Sequence, residues 1–133
     1  WGAALRQIPA KEPQNATALN NLGYLLAERN ERLEEALEMT QRAVRSEPAN
    51  PSFLDSLGWV YFKLGKLPEA ERYLSDAARR NPASVAIQEH LGDLFQRQGH
   101  AEKAKTAWRK ALSLAVEPAD TARIKAKLNA PDK

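Results

Sequence analysis

Apolar residues along this chain recur at the spacing of an α-helix. Leu19, Leu22 and Leu26 stand at positions i, i+3 and i+7, which places them on one helix face. Two later stretches repeat the stripe, with members Leu54, Leu57 and Tyr61, then Gln88, Leu91 and Phe95. A second helical segment follows each stripe after a short polar break. The pattern predicts six helices, at 16–29, 33–46, 51–64, 67–80, 85–98 and 101–115.

A single period relates these segments to one another. Leu-Gly pairs recur at steps of 35 and 34 residues, and two series of alanines recur at steps of 34. The members are Leu22-Gly23, Leu57-Gly58 and Leu91-Gly92; Ala36, Ala70 and Ala104; and Ala43, Ala77 and Ala111. Several independent positions that share one period indicate a repeat architecture in which each unit is a pair of helices.

Small residues occupy fixed places inside each unit. A glycine within a helix costs about 1 kcal/mol relative to alanine, so its recurrence at one phase suggests that a neighbouring helix leaves no room for a Cβ. We therefore expect Gly58 to lie against the second helix of its own unit. Gly65 and Gly99 are suited to end first helices in a left-handed cap, and Asn30 takes this place in the first unit, whose turn holds one extra residue.

The repeated positions resemble the tetratricopeptide repeat, a helix-turn-helix unit of 34 residues. The best-matching copy contains Leu54, Leu57-Gly58, Tyr61, Ala70, Leu74, Ala77 and Pro82. The chain departs from the family pattern at three positions. The signature tryptophan is replaced by Leu19, Leu54 and Gln88 in the three units. Thr40 stands at the bulky position of the second helix in unit one, and Val116 replaces the closing proline of unit three. The resemblance implies an all-α, right-handed solenoid of antiparallel helix pairs, and the sequence is most similar to bacterial members.

The ends of the chain differ from the repeats between them. Residues 120–128 read as one more helix, with Asp120 as its N-cap and Arg123, Lys125 and Lys127 as a solvated face. Such a helix would cap the last repeat of the C-terminal part of a longer protein. The predicted division is a remnant second helix at 1–15, repeats at 16–50, 51–84 and 85–118, a capping helix at 119–128 and a tail at 129–133.

Charge and composition narrow the function. The net charge is +3, but residues 1–96 carry 11 basic and 13 acidic residues, whereas residues 97–133 carry 9 and 4. Cysteine is absent, so disulfides, thiolate metal ligands and a cysteine nucleophile are excluded. No phosphate-binding or metalloprotease motif is present, and His90 and His100, expected on the surface, lack a third metal ligand. We expect no enzymatic activity, metal, cofactor or small-molecule substrate. Because no aromatic platform accompanies the basic end, nucleic acid is not an expected partner.

A second face of the first helices is the candidate site. In proteins that this chain resembles, the corresponding phases line a concave surface that holds a peptide. The residues expected there are Asn20, Tyr24, Asp55, Trp59, Phe62, Glu89, Asp93 and Gln96. Tyr24 and Trp59 have no evident packing role within their own units, and such side chains are favoured as binding anchors. The alternative is that Trp59 and Phe62 pack against a neighbouring helix.

The charges of this face indicate the kind of partner. Asp55, Glu89 and Asp93 would favour a protein segment with apolar and basic residues. Family members that clamp the carboxylate tail of a chaperone use Lys, Asn and Arg at positions that are here Asn20, Tyr24, Ser56, Ala86 and His90, so we expect no such clamp. The sequence thus predicts a protein-interaction scaffold or adaptor. The alternative is a structural module that self-associates into an oligomer.

Overall fold

The computed structural model describes residues 13–131, which form seven α-helices and contain no β-strand. These are α1 (Pro13–Glu28), α2 (Leu33–Ser46), α3 (Pro51–Lys63), α4 (Leu67–Arg80), α5 (Val85–Arg97), α6 (Ala101–Leu114) and α7 (Pro118–Asn129). Helices α1–α2, α3–α4 and α5–α6 pack as pairs, and α7 packs on α6. The expectation of an all-α solenoid of helix pairs is confirmed.

The predicted helix limits agree with the structure to within three residues. Helix α1 begins at Pro13 instead of 16, and α7 continues to Asn129. The remnant helix expected at 1–15 lies outside the described residues, except for residues 13–15, which belong to α1. The boundaries of the repeats remain a prediction. Among the described helices, none has the length and apolarity needed to cross a membrane.

Local chemistry fixes where several helices begin. The Asn50 side chain accepts hydrogen bonds from the backbone N–H groups of Ser52 and Phe53, at 2.9 and 3.2 Å, and so caps α3. Ser84 caps α5 in the same way through Ile87 N–H at 3.2 Å. The prediction of Asp120 as the N-cap of α7 is wrong. That helix begins at Pro118, whose fixed φ suits the first turn, and Asp120 lies inside it.

The turns inside the pairs use left-handed residues. Gly65 and Gly99 have φ angles of 81° and 84° and follow α3 and α5. In the turn between α1 and α2, Asn30 and Arg32 have φ angles of 57° and 49°. The extra residue of the first unit is therefore accommodated in the turn, where two left-handed residues replace one glycine.

Each first helix lies directly against its partner at the repeated glycine. A Cβ on Gly58 would lie 2.7 Å from Leu74 Cγ, which confirms the expected close approach. A Cβ added to Gly23 would lie 2.7 Å from Thr40 Cγ2, and one added to Gly92 would lie 2.2 Å from Trp108 Cδ1. Since contacts this short are repulsive, any larger residue at these glycines would force the pair apart.

Candidate functional site

The first helices bring equivalent residues of successive units onto one face. Helix α1 contacts α3, α3 contacts α5, and side chains of α7 reach α5. Residues one repeat apart therefore become neighbours and form two columns, which are Asn20, Asp55, Glu89 and Arg123, and Tyr24, Trp59, Asp93 and Lys127. Two cavities of about 420 and 640 Å³ lie along this face and share Asp93 and Lys127.

A row of rings crosses the face between α1, α3 and α5. Trp59 stacks on Phe62 and on His90, with ring centroids 4.7 and 4.1 Å apart, and Tyr24 lies 5.9 Å from His90. Trp59 is only 6% exposed, and the alternative that it packs against a neighbouring helix is correct, because it stacks on His90 of α5. The expectation that it has no packing role within its own unit is wrong, because it also stacks on Phe62 of α3. Phe62 is half-buried, and the Arg97 guanidinium lies 5.5 Å from its ring centroid.

A buried ion pair supports the row of rings. His90 Nδ1 lies 2.8 Å from Asp55 Oδ1, and Nε2 lies 3.4 Å from the Tyr24 hydroxyl. Burial alone would lower the pKa of His90, but the Asp55 carboxylate raises it above the ordinary value of 6.5. Burial and the neighbouring Glu28 raise the pKa of Tyr24, which stays protonated. The prediction of a surface position for His90 is therefore wrong, because this side chain joins three first helices.

A second set of ion pairs links α5 to α7. Arg123 Nε and Nη2 each donate to one Glu89 oxygen at 2.7 Å. Lys127 Nζ donates to Glu89 at 2.7 Å and to both oxygens of Asp93 at 2.9 and 3.0 Å. Trp108 Nε1 also donates to Asp93 at 3.1 Å. Arg123 and Lys127 were predicted to form a solvated face with Lys125. Arg123 is indeed 47% exposed, but both cations also bind the acidic side chains of α5, which the prediction did not include.

The pKa of Glu89 reflects these partners. Its burial raises the pKa, but the hydrogen bonds and positive charges of Arg123 and Lys127 outweigh that effect and lower it from 4.5 to about 2. Glu89 is therefore ionised at neutral pH although it is only 6% exposed. Hydrogen bonds of this kind, with charge on both partners, are about twice as strong as neutral ones.

The structure separates the predicted site residues into groups. Tyr24, Trp59, Glu89 and Asp93 line the smaller cavity. Phe62 and Gln96 line the larger one with Asp93. Asn20 and Asp55 line neither cavity: Asn20 is 5% exposed with its Nδ2 bonded to Asn21, and Asp55 is bonded to His90.

Sequence reasoning missed several residues that line the smaller cavity, among them His90, Arg123 and Lys127. A signal for two of them is present in the repeat period. Arg123 follows Glu89 by 34 residues, and Lys127 follows Asp93 by 34. Helix α7 therefore occupies the place of a further first helix, and continuing the period beyond α6 would have revealed both cations.

Comparisons with known proteins agree with this architecture. A family model for the tetratricopeptide repeat matches residues 3–52 and 56–112. The chain is 47% identical over 89 residues to the TPR repeat-containing protein PA4667 of Pseudomonas aeruginosa. That match covers 67% of this chain but only 15% of the relative.

Two solved structures resemble the whole fold. The type III secretion translocator chaperone SycD of Yersinia enterocolitica matches with a TM-score of 0.75 and 18% identity, covering 95% of this chain and 94% of that one. PcrH, in complex with the chaperone binding region of PopD, has a TM-score of 0.75 and 20% identity, with coverages of 88% and 90%. At such low identity the similarity concerns the fold alone.

Proposed function

The chain belongs to the tetratricopeptide repeat family, and from this premise we propose that it is a protein-interaction module. Its concave face would hold a segment of another polypeptide that carries apolar and basic residues. The observation that carries the proposal is the pair of adjoining cavities of about 420 and 640 Å³ along the columns of the first helices. Concave surfaces of this kind are the extended binding surfaces of repeat proteins.

The lining of the smaller cavity supports a basic partner. It holds the four carboxylates of Glu28, Glu89, Asp93 and Asp120, but only two cations besides the His90 ring. The acidic excess would attract a cationic segment and guide its approach. The half-buried rings of Tyr24 and Phe62 offer apolar contact beside these charges.

The burial of Trp59 changes how this face would be used. Trp59 lines the smaller cavity, and its stack on His90 holds α3 against α5, whereas Phe62 stacks on Trp59 from the same helix. A partner would instead touch the edges of the groove at Tyr24, Phe62 and Gln96. Because both nitrogens of the buried His90 ring have partners, we assign it a structural role instead of a catalytic one.

A fold neighbour offers a precedent for such binding. PcrH was solved with the chaperone binding region of PopD, a segment of another protein. By analogy, we propose that this chain also binds a polypeptide segment. The shape and charge of the two cavities would select which segment binds.

The proposal is tested by affinity capture with variants of exposed residues. Glu28→Lys/Gln96→Lys changes two exposed residues that line the two cavities. Glu38→Lys/Ser75→Lys makes the same change of charge at exposed positions of the second helices α2 and α4 and serves as the matched control. Folding of all proteins is checked by circular dichroism, and the captured protein is titrated against each.

We expect the groove variant to lose the captured protein and the control variant to retain it. Equal retention by both would contradict the groove proposal. The alternative, self-association, is examined by analytical ultracentrifugation. Concentration-dependent dimers that the groove variant leaves unchanged, with no captured protein, would favour the structural module.

A further inference from the structure

The ion pairs between α5 and α7 form a matched ladder. Glu89 and Asp93 stand four residues apart on α5, and Arg123 and Lys127 stand four residues apart on α7. Arg123 binds Glu89 through two nitrogens, and Lys127 bridges Glu89 and Asp93. Residues four apart lie on one side of a helix, so each helix presents two charges in register with the other.

The two sides of this ladder differ in their access to water. The Glu89 and Asp93 side chains are 7% and 18% exposed, whereas those of Arg123 and Lys127 are 47% and 28% exposed. The cations can therefore turn into solvent on their long, flexible stems. Ile124, which is fully buried, would hold α7 in place while they do so.

The acid pair, by contrast, cannot be left alone. Removing the partner of a buried charge is strongly unfavourable because the remaining carboxylate has neither water nor a counter-charge. Glu89 therefore requires cations. Asp93 keeps some exposure and the hydrogen bond from Trp108, and a cation stabilises it further. Nothing in the geometry of the two acids requires that these cations come from α7. A basic segment lying in the groove could supply them.

We infer that Glu89 and Asp93 form a binding site for two partner cations spaced one helical turn apart, and that Arg123 and Lys127 occupy this site until such a partner displaces them. The inference rests on the proposed function and specifies the partner further: Lys or Arg at positions i and i+4 of a helix. Because a partner must first displace Arg123 and Lys127, these side chains weaken its binding. Segments with few basic residues would therefore not bind.

A peptide probe with the required spacing tests the competition. The probe is a fluorescein-labelled peptide with the sequence of residues 118–129, which carries Arg123 and Lys127 in the spacing that the acids accept. The control peptide has glutamine at these two positions. Binding is measured by fluorescence anisotropy at about 50 mM salt, where ionic contacts are screened little.

The two variant proteins are 133-residue chains with the same change of charge. Arg123→Gln/Lys127→Gln vacates the acid pair, and Arg109→Gln/Lys125→Gln removes two exposed cations that lie away from it. We expect the first variant to bind the probe about tenfold more tightly than the wild type, as is typical of coupled sites. The second variant should bind like the wild type, and the control peptide should not distinguish the proteins.

A measurement on the unmodified chain covers the case in which the variant does not fold. The Arg123 Nε–H resonance should be protected from solvent exchange in the free protein and lose this protection when the probe is added. Two results would overturn the competition but leave the groove proposal standing. One is that the Arg123 Nε–H stays protected while the probe is bound. The other is that the wild type and a folded Arg123→Gln/Lys127→Gln variant bind the probe with equal affinity. Failure of every protein to bind the probe would count against both.

Discussion

The face formed by the first helices consists of two halves that hold these helices together by different means. In the ring half, Tyr24 and Trp59 pack on the His90 ring of a buried His90–Asp55 pair, and Phe62 stacks on Trp59. In the ionic half, Glu89 and Asp93 bind cations that are 28–47% exposed. Both halves use the same columns of the repeat. They differ in what happens when a contact opens.

Opening the ring half exposes apolar surface and leaves a carboxylate without a counter-charge. Opening the ionic half returns two cations to water, where they are readily hydrated, and leaves the buried Glu89 carboxylate in need of replacement cations. Ion pairs with exposed partners are worth about 0–1 kcal/mol, whereas breaking a buried pair from one side costs about 3–5 kcal/mol. We therefore propose that the ring half fixes the spacing of the helices and that the ionic half is the exchangeable part.

The sharpest test of this difference is His90→Ala. The substitution removes the stack with Trp59 and leaves Asp55 buried without its partner, so we expect the free energy of unfolding to fall by about 3 kcal/mol. Urea denaturation measures this loss. Asp55→Asn/His90→Gln, which keeps polar groups but no charge, should recover part of it. A loss below about 1 kcal/mol for His90→Ala would remove the distinction between the halves.

Acid should affect the ionic half next most strongly. The pKa of Glu89 falls from 4.5 to about 2 on folding. Its contribution is thus fully present well above pH 4.5 and is lost as the pH falls towards 2, and we expect up to about 2 kcal/mol. Denaturant titrations between pH 6 and pH 2 measure it. In Glu89→Gln this part of the decline should be missing, and an unchanged profile would show that Glu89 gains nothing from its cations.

The contribution of the ring half to stability should depend on pH in the opposite direction. The pKa of His90 is raised above 6.5 on folding, so its stabilising contribution is present below pH 6.5 and is lost as the pH rises through the folded value. We expect this effect to be smaller, because neutral His90 keeps its stack with Trp59 and can still donate from Nδ1 to Asp55. Stability measured between pH 6 and pH 9 should decline in the wild type. The same decline in Asp55→Asn would mean that another group is responsible.

The smallest expected effect concerns salt. Lys127→Gln should cost about 0.5 kcal/mol at low ionic strength and almost nothing at 1 M NaCl, because the exposed side of the ion pair is screened. The loss caused by His90→Ala should change little over the same range, since the pair is buried. Melting temperatures at the two salt concentrations provide the comparison. A salt-dependent loss for His90→Ala would show that water reaches the ring half.

The repeat period made most of the fold and the columns of this face predictable. The glycine at position 58 indicated the contact with Leu74, because a glycine repeated at one phase of a helix is favoured where a neighbouring helix leaves no room for a Cβ. The burial of Trp59 was not predictable in this way, since it depends on which residue of the next unit stands opposite. That residue is His90, which lies next to the column residue Glu89 on α5.

The ionic half required a different kind of information. Sequence spacing within α7 fits a solvated basic face as well as it fits a charged column, because residues 123 and 127 share one helix face in either case. The two interpretations are distinguished only by the positions of Glu89 and Asp93, which stand 34 residues before Arg123 and Lys127 and bind them. Charge reversal between equivalent positions of successive repeats is therefore a useful signal for contacts between units.

The turn between α1 and α2 shows how such arrays can change in length. Its surplus residue is absorbed at Asn30 and Arg32, while Gly23 still faces Thr40 as Gly58 faces Leu74. Insertions at this exposed bend thus leave helix register untouched. For protein engineering it is a natural attachment point: an epitope or a fluorophore introduced next to Glu31 would be accommodated by the turn while the helix pairs keep their alignment.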